Sequence, residues 1–168
     1  MNEMMIIKKT IALAAAAAAA LMMLAGCGGE EEAAYDWSSL DLDVSQTASA
    51  IAAATNFDAE MVDLDADQIV MSYGGDIRSA EELGVSAAGG ASAEQVIVAK
   101  CAEGNVSAVK DELKAYFADL AGIYGDYAPE EVPKLNSAVI VDRGRYVFAV
   151  VTADAAGAAA AIDAACGK

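Results

Sequence analysis

The clearest pattern along the chain is a run of apolar residues at three- and four-residue steps, which predicts a long helix. Its members are Val106, Val109, Leu113, Phe117, Leu120 and Tyr124. This spacing places all six on one helix face. We expect Asn105 to cap the helix and Gly122 or Gly125 to end it. Pro129 and Pro133 then predict an irregular segment.

Strands are predicted on both sides of this helix. Alternation over residues 94–102 places Ile97, Ala99 and Cys101 on one face and Val96, Val98 and Lys100 on the other. The lysine indicates that the first set faces the core. Residues 137–142 and 145–152 predict a hairpin whose loop is Arg143 and Gly144, with Asp142 opposite Arg145.

Both faces of the predicted hairpin are apolar. One is expected to hold Val139, Val141, Tyr146, Phe148 and Val150, and the other Ile140, Val147, Ala149 and Val151. A face of this kind is either covered by a second layer or meets a partner. We expect the second layer, because the N-terminal helices need a surface on which to pack.

Further helices are predicted over residues 44–55, 65–73 and 155–166, the last of them capped by Asp154. Residues 84–92 are rich in Gly, Ser and Ala and predict a loop. The fold class is therefore α+β: a small antiparallel sheet, built in the order strand–helix–hairpin–helix, with N-terminal helices packed on it. We expect residues 35–168 to form this single domain.

The N-terminus has the layout of a signal peptide over residues 1–26. Lys8 and Lys9 precede an apolar run over residues 11–23. Because this run is short for a membrane-spanning helix, a signal peptide is the preferred interpretation. Leu24, Ala25, Gly26 and Cys27 then follow, and they resemble the lipobox of bacterial lipoproteins. The alternative is an ordinary signal peptide with a chance cysteine.

The lipobox resemblance implies a lipid anchor on Cys27. Leu24, Ala25 and Gly26 would be recognised by the signal peptidase, and the Cys27 thiolate would take the diacylglyceryl group. Two acyl chains hold a protein stably on a membrane, whereas one chain does not. Residues 27–34 are rich in Gly and Glu and predict a flexible acidic tether. The expected location is the cell membrane, facing outside the cytoplasm.

Charge narrows the classes of partner. The formal net charge is −16, and removal of Lys8, Lys9 and Glu3 with the signal peptide makes the rest more negative still. Such a surface repels nucleic acid and the surface of an anionic bilayer. We therefore expect no nucleic-acid partner and a membrane contact through the lipid on Cys27.

Motifs of known chemistry are few. The sequence has no His, which excludes Ser-His-Asp and Cys-His catalysis and His-ligated zinc. Asp63, Asp65 and Asp67 alternate like the start of a calcium loop, but Gln68 and Gly74 stand where its Gly and Glu belong. A solvated helix start is the alternative for these aspartates. We expect no catalytic residue, metal or cofactor.

Two cysteines lie beyond Cys27. Cys101 and Cys166 are an even pair in a chain predicted to be exported, which permits a disulfide between them. Two separate buried thiols are the alternative, because free cysteine packs well in a core.

Three segments resemble the domain of unknown function 4358 family: residues 93–100, residues 127–131 and residues 144–151. The resemblance spans roughly residues 44–165, and it implies an exported setting and this order of helices and strands. It implies no activity. We expect a non-enzymatic binding or scaffolding domain at the cell envelope, with a protein or envelope partner. The alternative is a carboxylate-based hydrolase that acts on cell-wall polymer.

Overall fold

A five-stranded antiparallel sheet lies at the centre of residues 35–168, the part of the chain that the computed structural model describes. Its strands are β1 (Met61–Asp63), β2 (Ala80–Ala88), β3 (Gln95–Cys101), β4 (Val139–Arg143) and β5 (Tyr146–Val151). Their spatial order is β1-β2-β3-β5-β4. The predicted signal peptide and tether, with Leu24, Ala25, Gly26 and Cys27, lie outside the described residues.

Helices pack on this sheet. They are α1 (Val44–Ala54), α2 (Ala66–Tyr73), α3 (Val106–Tyr127), α4 (Val132–Asn136) and α5 (Ala155–Ala165), with a 3-10 helix at Pro129–Glu131. Local capping explains several of their starts: Asp65 forms a capping box with Gln68, and Asp154 Oδ1 accepts a hydrogen bond from Gly157 N. The α+β class predicted from the sequence is confirmed.

Both faces of the sheet are buried. On one face of the sheet, α1 and α5 cover Val96 and Val98 of β3. The same cluster includes Tyr146, Phe148 and Val150 of β5. On the other, α2 and α3 cover Ile97 and Val147, and Phe117 of α3 belongs to the same cluster. The predicted second layer is therefore confirmed. The expectation that only the Ile97 face of β3 meets the core is wrong, because Val96 and Val98 are as fully buried.

Residues 84–88 belong to a strand, not to the predicted loop. β2 pairs with β3 along most of its length, and its end pairs with β1, a strand that the sequence pattern did not indicate. Close packing against α1 explains a small residue in this part of β2. A Cβ on Gly84 would lie 2.1 Å from the carbonyl oxygen of Val44, so α1 approaches the sheet too closely for any side chain there. Residues 89–94 connect β2 to β3, so only residues 89–92 of the predicted loop lie outside a strand.

The end of the long helix also differs from the prediction. α3 continues through Gly122 and Gly125, because neither glycine takes the left-handed conformation that ends a helix. Pro129 is the first residue of the 3-10 helix and Pro133 the second residue of α4, positions where a missing N–H is tolerated. Asn105 stands at the N-cap of α3 but makes no side-chain cap bond.

The hairpin has the predicted faces but a different register. Arg143 pairs with Tyr146, so the two-residue loop is Gly144 and Arg145, one position later than predicted. Gly144 has a φ of 59°, which favours glycine at the first loop position. Val141 consequently faces Phe148, and the predicted pairing of Asp142 with Arg145 is wrong.

Candidate functional site

Lys134 joins three carboxylates at the end of the sheet where β3 begins. Its Nζ lies 2.8 Å from Asp58 Oδ2, 3.1 Å from Glu131 Oε1 and 3.2 Å from Glu94 Oε1. We call these four residues the Lys134 cluster. The Glu94 side chain is fully buried and the Lys134 side chain is 13% exposed, so this pair is largely removed from water, whereas Asp58 is 75% exposed.

Backbone donors complete the cluster. Glu94 Oε2 accepts hydrogen bonds from the backbone N–H groups of Asp58 and Ala59, at 2.9 and 3.0 Å. Glu131 Oε2 accepts one from Ala93 N at 2.9 Å. Burial lowers the pKa of Lys134, but its hydrogen bonds to the three carboxylates raise it by more, so the net pKa lies above the ordinary value. The cluster ties the loop after α1 to β3 and α4.

A cavity of about 110 Å³ lies next to the cluster, between the sheet and helices α2 and α3. Tyr73, at the end of α2, lines it together with Tyr116 and Tyr124, which stand about two turns apart on α3. The Tyr73 and Tyr116 rings are tilted, with centroids 5.4 Å apart. Burial raises the pKa of both phenols, so both are neutral near pH 7. We call this space the tyrosine cavity.

Gln95 forms part of the cavity wall. Gln95 is 4% exposed, and its Nε2 donates a hydrogen bond to the carbonyl oxygen of Ala93 at 3.3 Å. Its Oε1 is buried and has no hydrogen-bond partner among residues 35–168. A buried acceptor left without a donor costs about 1–3 kcal/mol. The wall beside the cavity thus holds an unpaired acceptor that is itself buried.

A wider groove of about 550 Å³ runs between α2 and β2; we call it the α2 groove. Its apolar lining includes Ile69, Val70, Ile77 and Leu83. Val70 is 70% exposed, and its neighbour Met71 is 87% exposed. An apolar groove of this size is typical of ligand sites.

Charged residues stand beside the apolar lining of the groove. Glu81 pairs with Arg145 and Glu82 with Lys100, so both groove carboxylates already have a cation. Arg78 also lines the groove. It is exposed, and it is the one Lys or Arg of residues 35–168 without an ion pair. The groove therefore offers one unpaired positive charge.

The structure separates the aspartates that resemble a calcium loop. Asp63 accepts hydrogen bonds from Ser49 Oγ at 2.6 Å and Ser86 Oγ at 2.7 Å, while Asp65 caps α2. Asp65 thus takes the helix-start role that was the alternative. Within residues 35–168 no three or more His, Cys, Asp or Glu side chains are grouped so as to hold a metal ion.

Cys101 and Cys166 are free thiols in two different core clusters. Cys101 lies under α3 and Cys166 lies on the α1 and α5 side, so the sheet separates them. Burial raises the pKa of the Cys101 thiol to about 11 and also raises that of Cys166. The arrangement is that of two separate buried thiols, and neither is poised as a nucleophile.

The sequence analysis did not identify the Lys134 cluster, Gln95 or the tyrosine cavity. One signal was available: Glu94 stands directly before a fully apolar strand, and a charge at such a position needs a buried partner. Lys134 follows Glu131 at helical spacing, but nothing in that spacing indicates Glu94.

Among residues 35–168 no helix combines the length and the apolar character needed to cross a bilayer. No curated protein and no protein of solved structure shows significant similarity to the chain. One family matches, over residues 53–152, and its description is Domain of unknown function (DUF4358). The match includes all five strands, Glu94, Glu131 and Lys134, every residue that lines the tyrosine cavity, and all that line the α2 groove except Val44. The chain belongs to this family.

Proposed function

We propose that this chain is a lipid-anchored protein at the cell envelope whose domain binds a ligand or partner outside the cytoplasm and does not transform it. The support for the anchor is the sequence: an apolar run over residues 11–23, followed by Leu24, Ala25, Gly26 and Cys27. A formal net charge of −16 disfavours electrostatic attachment to an anionic membrane. Lipid on Cys27 provides the attachment.

The α2 groove is the observation that carries the binding function. Both faces of the sheet are already filled by helices, yet this groove keeps apolar side chains at the surface, with Val70 70% exposed. An exposed apolar patch with a filled core is typical of a binding surface. Arg78 adds one unpaired cation. The matching ligand has an apolar body and one anionic group.

The hydrolase alternative has no observation in its favour. Glu94 and Glu131, two carboxylates that the fold brings together, share Lys134 and accept backbone hydrogen bonds. A general acid or base must face a substrate with a proton or lone pair available. These two carboxylates are engaged by the protein itself, which is the arrangement of a structural network.

The anchor is tested by Cys27→Ser in the native host. Fractionation and metabolic labelling with an alkyne fatty acid should show the parent chain labelled in the membrane fraction and the variant unlabelled outside it. Cys166→Ser is the matched control, because Cys166 is buried in the domain and should not affect labelling. Unchanged labelling of Cys27→Ser would refute the lipid anchor.

The groove is tested with 8-anilinonaphthalene-1-sulfonate, a probe that joins an apolar ring system to a sulfonate. The full chain carrying Cys27→Ser should bind it with enhanced fluorescence, and both Val70→Asp and Arg78→Gln should weaken that binding. Ile123→Asp is the control, because Ile123 is 56% exposed on α3 and does not line the groove. Equal fluorescence in all four proteins would exclude the groove as the binding surface.

A further inference from the structure

The outer edge of β4 carries an inference that is independent of the α2 groove. We propose that two copies of this chain associate at this edge by antiparallel pairing of β4 with β4, so that their two five-stranded sheets become one. The juxtaposition that indicates this is an edge strand with unpaired backbone groups, Val139–Arg143, beside an apolar groove that the exposed Lys114 also lines.

The hydrogen bonds of the sheet show which backbone groups of β4 face outward. Cys101 N donates to Arg145 O at 2.8 Å, so the backbone of Arg145 faces β3, and by alternation so does that of Ala149. Ile140 stands opposite Ala149, and its own N–H and C=O therefore point away from β5. Neither group is hydrogen-bonded within residues 35–168. Unpaired groups of this kind on an edge strand are a template for another extended chain.

Two further outward groups lie on either side of Ile140. Asp142 follows it by two positions, so its backbone also faces outward; its N–H is unpaired among the described residues, whereas its C=O accepts a hydrogen bond from Arg143 Nη1 at 2.8 Å. Ala138 precedes Ile140 by two positions. Its N–H donates to Leu135 O, and its C=O accepts no hydrogen bond from the described part of the chain. The edge thus offers two donors and two acceptors.

These four groups are complementary to the same four groups of a second copy. With Ile140 opposite Ile140 of the second copy, the two residues exchange both backbone hydrogen bonds. Asp142 then lies opposite Ala138 of the second copy, where its N–H meets the unpaired C=O. A register shifted by two residues would instead require the Asp142 C=O, which already accepts from Arg143. The Ile140-centred register therefore satisfies every unpaired group of the edge.

The side chains of β4 suit the same register. A groove of about 380 Å³, which we call the β4 groove, lies between β4 and helices α3 and α4. Its lining includes Phe117, Leu135 and Ile140, which pack in the core cluster on the α3 side of the sheet. Residues that stand opposite each other share a sheet face, so Ile140 of the second copy extends this apolar lining. Pairing therefore covers apolar surface as well as backbone groups.

Local charge favours the pairing, although the whole chain is acidic. Lys114 lines the β4 groove, its side chain is 61% exposed, and it pairs with Asp111, whose side chain is 71% exposed. Such a surface pair is weak, so Lys114 can bind another carboxylate at little cost. In the proposed register Asp142 of the second copy lies opposite Ala138, which lines the same groove as Lys114. Each copy thus offers a carboxylate to a lysine of the other.

The test starts with the oligomeric state of the full chain carrying Cys27→Ser. The formal net charge of −16 opposes association, so sedimentation velocity is measured at about 0.15 M salt, which screens that repulsion. A dimer should form as the protein concentration rises. In NMR, hydrogen exchange of the Ile140 and Asp142 amides should slow over the same range, because both become hydrogen-bonded. A chain that stays monomeric at the concentration of the NMR sample would overturn the proposal. Protection that is equal at every concentration would also overturn it, because the chain itself would then cover the edge.

Two variants locate the interface. Ile140→Lys places a charge on the edge and should weaken dimerisation by roughly tenfold or more. Lys114→Glu, at an exposed position, sets like charges against each other across the interface and should weaken it by about threefold. Val62→Lys is the matched control: Val62 is 55% exposed on the opposite edge strand, β1, and its variant should dimerise as the parent does.

The remaining outcomes decide against the proposal. If Ile140→Lys and Lys114→Glu associate as tightly as the parent, or if Val62→Lys dissociates as much as Ile140→Lys does, the copies do not meet through β4. Circular dichroism of each variant separates lost association from lost folding, and Lys114→Glu keeps the test valid if Ile140→Lys does not fold. The sulfonate probe reports on the α2 groove and not on association, so the two proposals can fail separately.

Discussion

Lys134 Nζ lies 3.2 Å from Glu94 Oε1, although the two residues are 40 positions apart in the chain. The contact joins the start of β3 to α4. Because the Glu94 side chain is fully buried, its charge depends on this lysine and on backbone N–H groups for compensation. The pair is therefore expected to matter more to folding than any surface ion pair of the domain.

Lys134→Met is expected to lower the free energy of unfolding by about 3–5 kcal/mol, because it leaves buried carboxylates without their cation. Urea denaturation followed by circular dichroism measures the loss. Lys114→Met is the control, since Lys114 pairs with Asp111 and both side chains are more than half exposed. That substitution should cost no more than about 1 kcal/mol. Equal losses in the two variants would show that the cluster does not stabilise the fold.

This contact also shows what the sequence pattern could not predict. The face of α3 and the two faces of the β4–β5 hairpin follow from local periodicity, and they were predicted correctly. Glu94 and Lys134 meet only after the sheet and helices have assembled, so no spacing along the chain indicates their contact. The same holds for the tyrosine cavity, whose walls come from α2, α3, β2 and β3.

Small residues account for the part of β2 that was predicted as a loop. Composition predicts a loop wherever Gly, Ser and Ala are frequent, because these residues favour turns and add little apolar surface. In β2 the same residues allow α1 to approach the sheet at Gly84, and Ser86 is buried against Asp63. That requirement comes from a helix distant in the chain, and a local pattern does not contain it.

Gly84→Ala tests the close approach of α1. Its Cβ would lie 2.1 Å from the Val44 carbonyl oxygen, so the helix must shift, at a cost of about 1–3 kcal/mol or more in unfolding free energy. Gly122→Ala is the matched control. No neighbouring atom lies within 4 Å of its added Cβ, and in a helix interior alanine should stabilise by roughly 0.5–1 kcal/mol. Thermal unfolding should show a lower melting temperature for Gly84→Ala and a higher one for Gly122→Ala. A Gly84→Ala variant as stable as the parent would contradict the close approach of α1 to the sheet.

The two buried cysteines should be free and protected. In the chain carrying Cys27→Ser, mass spectrometry without reduction should find two thiols, at Cys101 and Cys166. Iodoacetamide at pH 8 should label neither of them readily in the folded protein, because both are buried and burial raises the pKa of each. In urea, both thiols should be labelled within the time that leaves them unlabelled in the folded protein. A mass lower by two hydrogen atoms before reduction would instead show a disulfide, and with it a different packing of the sheet.

Stability should decline with rising pH from about pH 9. Burial raises the pKa of the Cys101 thiol from 9.0 to about 11, and the Cys166 pKa is shifted in the same direction. Because the unfolded chain loses these protons first, the stability they contribute is complete below pH 9 and is lost as the pH rises through 11. Urea midpoints of the Cys27→Ser chain between pH 8 and 11 measure the decline.

The matched variant adds Cys101→Ala and Cys166→Ala. It should be less stable at pH 8, because each substitution leaves a small gap in the core, but its midpoint should change less between pH 8 and 10. The tyrosines add a similar loss mainly above pH 10, because burial raises the pKa of Tyr73, Tyr116 and Tyr124 above the value of 10.0 at which an unfolded tyrosine titrates. If the decline between pH 8 and 10 is as steep without the two thiols, their ionisation is not its cause.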